Sequence, residues 1–146
     1  MANPLLYWTV STLLLLWGLA YAGLVFFSFV LAKPAHWAAL VAKGRIQAEY
    51  ADYIAAIPGW VVLLTAAAAA SRLLGALALF WQSAWAFTLY GLSLFLVVII
   101  MFRAFALAKV ARVIRPSQVA LELAFLLISV FAAWFSAMQI LNGVLR

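Results

Sequence analysis

Arg72 is the residue whose position most favours chemistry, because it interrupts an apolar run that extends from Pro58 to Trp81. An unpaired cation near the middle of a membrane span costs at least about 2.5 kcal/mol, so such residues usually face protein or water. The functional interpretation is an anion or substrate site inside a helix bundle. The structural interpretation is a cation that extends toward the membrane surface or pairs with another helix.

Glu122 is the candidate partner of Arg72, because it lies near the start of another apolar run. Helical side chains point toward the N-terminus of their own helix, which sends Arg72 toward the side where Glu122 begins an antiparallel helix. The axial separation leaves direct contact open. A pair would be either a fixed ion pair or a proton-linked switch. Arg72 and Glu122 are therefore the candidate intramembrane polar site.

A second polar group lies between the first two apolar runs. Glu49 and Asp52 are three residues apart, and Arg45 precedes Glu49 by four, so all three share a helical face. This pattern is typical of a solvated charged face, and the functional alternative is a polar mouth that leads to Arg72. The members of this interfacial polar cluster are His36, Arg45, Glu49, Tyr50, Asp52 and Tyr53.

A third group of candidates follows the third apolar run, where Lys109, Arg112 and Arg115 recur every three residues. Apolar residues take the other face, so the segment is amphipathic and predicts contact with anionic phospholipid headgroups. The alternative is ordinary extension of basic side chains toward the membrane surface. Nucleic acid is not an expected partner, because the basic residues are not interleaved with exposed aromatic residues.

Several kinds of chemistry are excluded by composition. The chain has no cysteine and one histidine, which excludes disulfides, thiolate catalysis and a histidine-rich metal site. It also contains no nucleotide-binding loop and no nucleophile–base pair. We therefore predict no catalytic residue, no metal ligand and no cofactor.

The elements that must position these residues are membrane helices. Of the 146 residues, 71% are hydrophobic and 8% are charged, which excludes a soluble globular domain. Four apolar runs, at about 5–31, 58–81, 84–102 and 119–145, are each long enough to cross a bilayer. The sequence predicts an all-α, polytopic four-transmembrane-helix bundle in a single domain. An interfacial amphipathic segment, broken at Gly44 into two short helices, joins the first two spans.

Orientation follows from the distribution of basic residues. The connection 33–57 holds three Lys and Arg residues and the segment 103–115 holds four, whereas the N-terminus and the turn at Gln82 hold none. The positive-inside rule then places both long connections in the cytoplasm. We predict a multi-pass protein of the cell inner membrane with both termini outside the cytoplasm.

Small residues mark surfaces that allow close helix contact. Ser71 and Gly75 are four residues apart in the second span, and Gly18 and Ala22 repeat this spacing in the first. These surfaces meet either within one bundle or between protomers of a homo-oligomer. The sequence leaves both arrangements open.

A resemblance covers the second and third spans. The run from Tyr50 to Leu94 contains the patterns Y-x7-P-x-W, L-L-G-A-L-A-L, W-A and L-S-L. It resembles small four-span bacterial membrane proteins that are labelled sugar transporters. The resemblance implies a bacterial inner-membrane protein of four spans, and the label establishes no activity.

Three classes of function remain. A non-catalytic accessory or structural subunit, packed against partner membrane proteins in a larger complex, is favoured because intramembrane polar residues are few. The alternative is a small-molecule carrier with a site at Arg72. A further alternative is a glutathione-dependent membrane enzyme of the MAPEG class, to whose second-helix motif Arg45, Glu49 and Asp52 are the nearest match, without the expected Asn.

Overall fold

The computed structural model describes residues 3–31, 34–107 and 116–146, and every regular element in these ranges is helical. Four helices in this part of the chain are long and apolar enough to cross a membrane. They are Pro4–Phe29, Gly59–Phe80, Trp85–Phe105 and Val119–Leu141. The predicted all-α bundle with four spans is therefore confirmed.

Six α-helices make up the described ranges. They are α1 (Pro4–Phe26), α2 (Pro34–Ala42), α3 (Ala48–Ala55), α4 (Gly59–Phe80), α5 (Trp85–Phe102) and α6 (Pro116–Leu141). A π-helical turn, Phe27–Leu31, continues α1, and a second one, Arg103–Leu107, continues α5. Turns of this kind are rare and widen the helix locally. Both occur at the same end of the bundle, where α2 and α3 lie.

Helix starts follow the capping residues. The Asn3 side chain accepts hydrogen bonds from the backbone amides of Leu5 at 3.0 Å and Leu6 at 3.4 Å, so it caps α1 as its type predicts. Pro58 is the N-cap of α4, which places the first helical residue at Gly59. Gly44 has φ +68° between α2 and α3, a conformation that favours glycine. The expected break of the interfacial segment is thus confirmed.

The fourth span, formed by α6, is shorter at its C-terminal end than the run 119–145 suggests. It ends at Leu141, because Gly143 adopts φ +73° and reverses the chain. The Arg146 amide then donates to the Gln82 carbonyl, and the Arg146 carbonyl accepts from the Ala84 amide, both at 3.0 Å. The C-terminal residues therefore pair with the α4–α5 turn. Apolar composition alone could not reveal this reversal.

Helix α4 is the most enclosed of the four spans. In its most apolar 18-residue stretch 50% of the residues are buried, against 17% in the corresponding stretch of the first span. A Cβ atom at Gly18 would lie 3.7 Å from the Leu73 Cα atom, so α1 and α4 approach closely there. Gly75 lies against the Tyr90 ring of α5 in the same manner. The small-residue surfaces around Gly18 and Gly75 are thus used inside the bundle.

Aromatic side chains fill the space between α1 and α6. The rings of Tyr7 and Phe135 stack with centroids 6.0 Å apart, and Phe125 contacts Trp17 at 5.0 Å and Tyr21 at 5.6 Å. Large rings hold these two helices further apart than glycine holds α1 and α4. The wider gap between α1 and α6 leaves room for a long side chain of α4 to extend between these two helices.

Gly75→Val should destabilise the fold by about 1–3 kcal/mol relative to Gly91→Val, because overpacking a buried contact costs this much. A Cβ atom at Gly75 meets the Tyr90 ring at 3.2 Å, and Tyr90 is 2% exposed and has little room to move. Nothing lies within 4 Å of a Cβ atom at Gly91 on the same helix pair. Thermal unfolding in one detergent compares the two variants. Equal midpoints would contradict the close α4–α5 contact.

Candidate functional site

Arg72 is buried in the bundle and is held by two other helices. Its side chain is 2% exposed, and Nη2 donates a hydrogen bond to the Ser129 hydroxyl group of α6. Ser129 in turn donates to the Phe125 carbonyl at 2.9 Å. On the α1 side, the Arg72 Cζ atom lies 4.2 Å from the centroid of the Tyr21 ring. This distance is typical of a cation–π interaction, so three helices share the charge.

The guanidinium group is only partly satisfied by these contacts. Nη1 of Arg72 and the hydroxyl group of Tyr90 are both buried without a hydrogen-bond partner among the described protein atoms. Tyr90 lies on α5 and interacts electrostatically with Arg72. A buried cation with one strong hydrogen bond depends heavily on that bond. The Ser129 contact is therefore the main polar link between α4 and α6.

Glu122 does not form an ion pair with Arg72. Among the described residues it has neither a hydrogen-bond partner nor an ion-pair partner. Arg72 is level with Ser129, which lies seven residues, or about 10 Å of helix, beyond Glu122. The sequence argument placed both groups toward the same end but could not fix this axial offset. The two members of the candidate site belong to different environments.

Glu122 lines a cavity of about 360 Å³ at the end of the bundle that carries the long connections, which we call the connection face. Its side chain is only partly buried. Both π-helical turns contribute to the wall, Phe29 from one and Ala104 with Phe105 from the other. Tyr21 also lines the cavity, whereas Arg72 does not. The Tyr21 ring thus separates the guanidinium group from the cavity.

Most described members of the interfacial polar cluster are exposed. His36, Arg45, Glu49 and Asp52 are exposed, and the Tyr50 side chain lies outside the described part of the structure. Asp52 borders an open groove of about 690 Å³ between α2 and α3, whose other walls are mainly apolar. Tyr53 alone in this cluster lines the Glu122 cavity. The polar mouth toward Arg72, the functional alternative for this cluster, has no counterpart among the described cavities, and the cavity that Tyr53 lines is largely apolar.

Arg103 contributes a contact that sequence reasoning missed. Its Nη1 atom donates to the Tyr53 hydroxyl group at 3.4 Å, and its Cζ atom lies 5.6 Å from the Trp60 ring centroid. These contacts fasten α3 to the ends of α4 and α5. Arg103 therefore fixes one wall of the cavity without lining it. The headgroup candidates Lys109, Arg112 and Arg115 lie outside the described residues, so their role stays a prediction.

Other members of the site carried weak sequence signals. Ser129 and Tyr21 are an ordinary serine and tyrosine in apolar runs, separated by 57 and 51 residues from Arg72. The only sequence signal that could have identified these two residues is that each is a polar residue expected at the same membrane depth as the buried cation. Within the described ranges, no group of three or more His, Cys, Asp or Glu residues could hold a metal ion.

Comparison with known proteins gives no assignment. No protein-family model, no curated protein and no solved structure matches this chain. The resemblance to small four-span proteins labelled sugar transporters therefore stays a prediction. Function has to be argued from the geometry of the site.

Ser129→Ala should lower the stability of the bundle by about 1–2 kcal/mol more than Ser136→Ala. The reason is that it removes the hydroxyl group that accepts the hydrogen bond of the buried Arg72 cation. The control is closely matched, since both serines are buried on α6 and both donate to the carbonyl four residues earlier at 2.9 Å. Only Ser129 also accepts from Arg72. Thermal unfolding in detergent measures the difference. Equal losses would show that the Arg72 bond stabilises nothing.

A cysteine at position 65 should react with a membrane-impermeant methanethiosulfonate reagent, whereas a cysteine at position 69 should not. Thr65 lines the cavity, and Ala69, one turn further along α4, is 5% exposed and does not. The chain has no cysteine of its own, so each variant carries a single thiol. Mass spectrometry of the protein in bilayer discs measures labelling. Equal protection of both thiols would contradict a solvent-reachable cavity.

Proposed function

We propose that this is a non-catalytic membrane protein that binds a small, largely apolar molecule in the connection-face cavity. The observation that supports this is the cavity itself, whose volume of about 360 Å³ combines mostly apolar walls with the Glu122 carboxylate, which has no ion-pair partner among the described residues. Ligand sites commonly have this size and this mixture of apolar surface with a few polar groups. The proposal keeps the small-molecule alternative and moves its site from Arg72 to Glu122.

Arg72 serves the bundle in this account. Its guanidinium group bonds to Ser129, stacks on Tyr21 and is 2% exposed, so a substrate has no route to it in this conformation. These contacts offset part of the cost of burying the charge. We therefore assign Arg72 a structural role that keeps α1, α4 and α6 in register beside the cavity.

The accessory-subunit hypothesis, which was favoured because intramembrane polar residues are few, gains nothing from the small residues of the chain. The small residues that could have packed against a partner protein, Gly18 and Gly75, contact α4 and α5 of the same chain. The apolar outer surface of the bundle is as well suited to contact with lipid as to contact with a partner protein. The enzyme hypothesis gains no support from Arg45, which is exposed and lines neither described cavity.

The position of the cavity suggests how a ligand would arrive. The connection face carries the basic segments, and the positive-inside rule places it on the cytoplasmic side of a bacterial inner membrane. A ligand would then enter from the cytoplasm or from the inner leaflet. An opposite wall made by Tyr21 and the packed residues beyond it would close the far side, so the protein would hold its ligand rather than form a pore.

Ala104→Phe should abolish stoichiometric binding of the neutral probe N-phenyl-1-naphthylamine, because Ala104 lines the cavity and a larger side chain fills it. Leu63→Phe is the control, since Leu63 is 72% exposed on the outer face of α4 and should leave binding unchanged. Probe fluorescence, with empty micelles subtracted, measures occupancy. Absence of saturable binding to the wild type, or equal binding to both variants, would contradict the proposed function.

A further inference from the structure

The charge of the cavity wall is set by one residue. Of the described residues that line the cavity, Glu122 is the only one with a charged side chain. It has no hydrogen-bond or ion-pair partner in this part of the chain, although it is partly buried. A carboxylate in apolar surroundings is costly unless a positive group pairs with it. A cationic group placed in the cavity would therefore be stabilised next to Glu122.

The remaining wall suits a positive group as well. Aromatic rings form much of it, and the faces of such rings attract cations. The aromatic residues of the wall are Tyr21, Phe29, Trp37, Tyr53, Phe105 and Phe125. Between the rings the wall is aliphatic, which suits an apolar tail. Charge and surface together favour a ligand that is cationic at one point and apolar elsewhere.

Arg72 and Arg103 both contact residues of the cavity wall without lining the cavity themselves. Arg72 lies behind Tyr21, with its Cζ atom 4.2 Å from the ring centroid. Arg103 is held by the Tyr53 hydroxyl group and the Trp60 ring. Neither guanidinium group belongs to the lining. An anionic ligand would meet the Glu122 carboxylate directly and would reach these arginines only through the aromatic wall.

We infer that the cavity takes an amphiphilic ammonium cation, an amine or quaternary ammonium group with an aromatic or alkyl tail, and that Glu122 is its counter-ion. This inference rests on the proposed function and specifies its class of ligand. The ammonium group would lie against the carboxylate, and the tail would lie among the rings. Arg72 and Arg103 would hold the walls in place without touching the ligand.

The test uses three probes of similar shape that differ in charge: benzyltrimethylammonium, its uncharged carbon analogue neopentylbenzene, and the anion benzylsulfonate. Calorimetric titration of the purified full-length protein, with the same detergent micelles as a blank, gives each dissociation constant. Glu122→Gln removes the charge and keeps the shape. Glu49→Gln is the matched control, since it removes the same charge from an exposed position on α3.

We expect the wild type to bind the cation about tenfold or more tightly than the neutral analogue, through the carboxylate and the ring faces. Glu122→Gln should abolish this preference, and Glu49→Gln should retain it. Equal binding of cation and neutral analogue, tighter binding of the sulfonate, or a preference that survives Glu122→Gln would overturn the inference and leave the proposed cavity function standing. If none of the three probes binds, the inference is overturned. If Ala104→Phe also binds N-phenyl-1-naphthylamine as the wild type does, the proposed cavity function is overturned with it.

Discussion

The cost of placing the Arg72 guanidinium group inside an apolar bundle constrains the rest of the structure. A charge at this depth requires protein partners, and one helix cannot supply them. Ser129 of α6 accepts its hydrogen bond, and Tyr21 of α1 presents a ring face to it. Three helices from distant parts of the chain must therefore stand in one register.

The helix interfaces divide into close and wide contacts around this residue. Glycine brings α4 near α1 and α5, while paired aromatic rings keep α1 and α6 further apart. The wider interval accommodates Arg72 at one depth and opens into the Glu122 cavity at the connection face. Tyr21 takes part in both the Arg72 contact and the Glu122 cavity, since its ring stacks on the cation and also lines the cavity. A single aromatic ring thus separates the structural charge from the proposed ligand-binding charge.

Much of the fold could be predicted from the sequence, because apolar length, capping residues and breakers act locally. The four spans, the Asn3 cap and the break at Gly44 are of this kind. The early end of α6 has a local signal in Gly143, which the apolar run 119–145 obscured, whereas the backbone pairing of the C-terminal residues with the α4–α5 turn is recorded in no local pattern. Arg72 and Glu122 were identifiable as polar residues inside the bundle. Their separation was not, since it depends on how far each helix is displaced along its axis.

The central claim is that the buried cation is structural and that the carboxylate faces the accessible cavity. Water-edited solid-state NMR of the protein in lipid bilayers, with labelled arginine and glutamate side chains, tests it most directly. The account predicts slow transfer of magnetisation from water to Arg72 and fast transfer to Glu122. Assignment comes from Arg72→Lys and Glu122→Gln spectra. Fast transfer to Arg72 with slow transfer to Glu122 would contradict the account and return the site to the arginine.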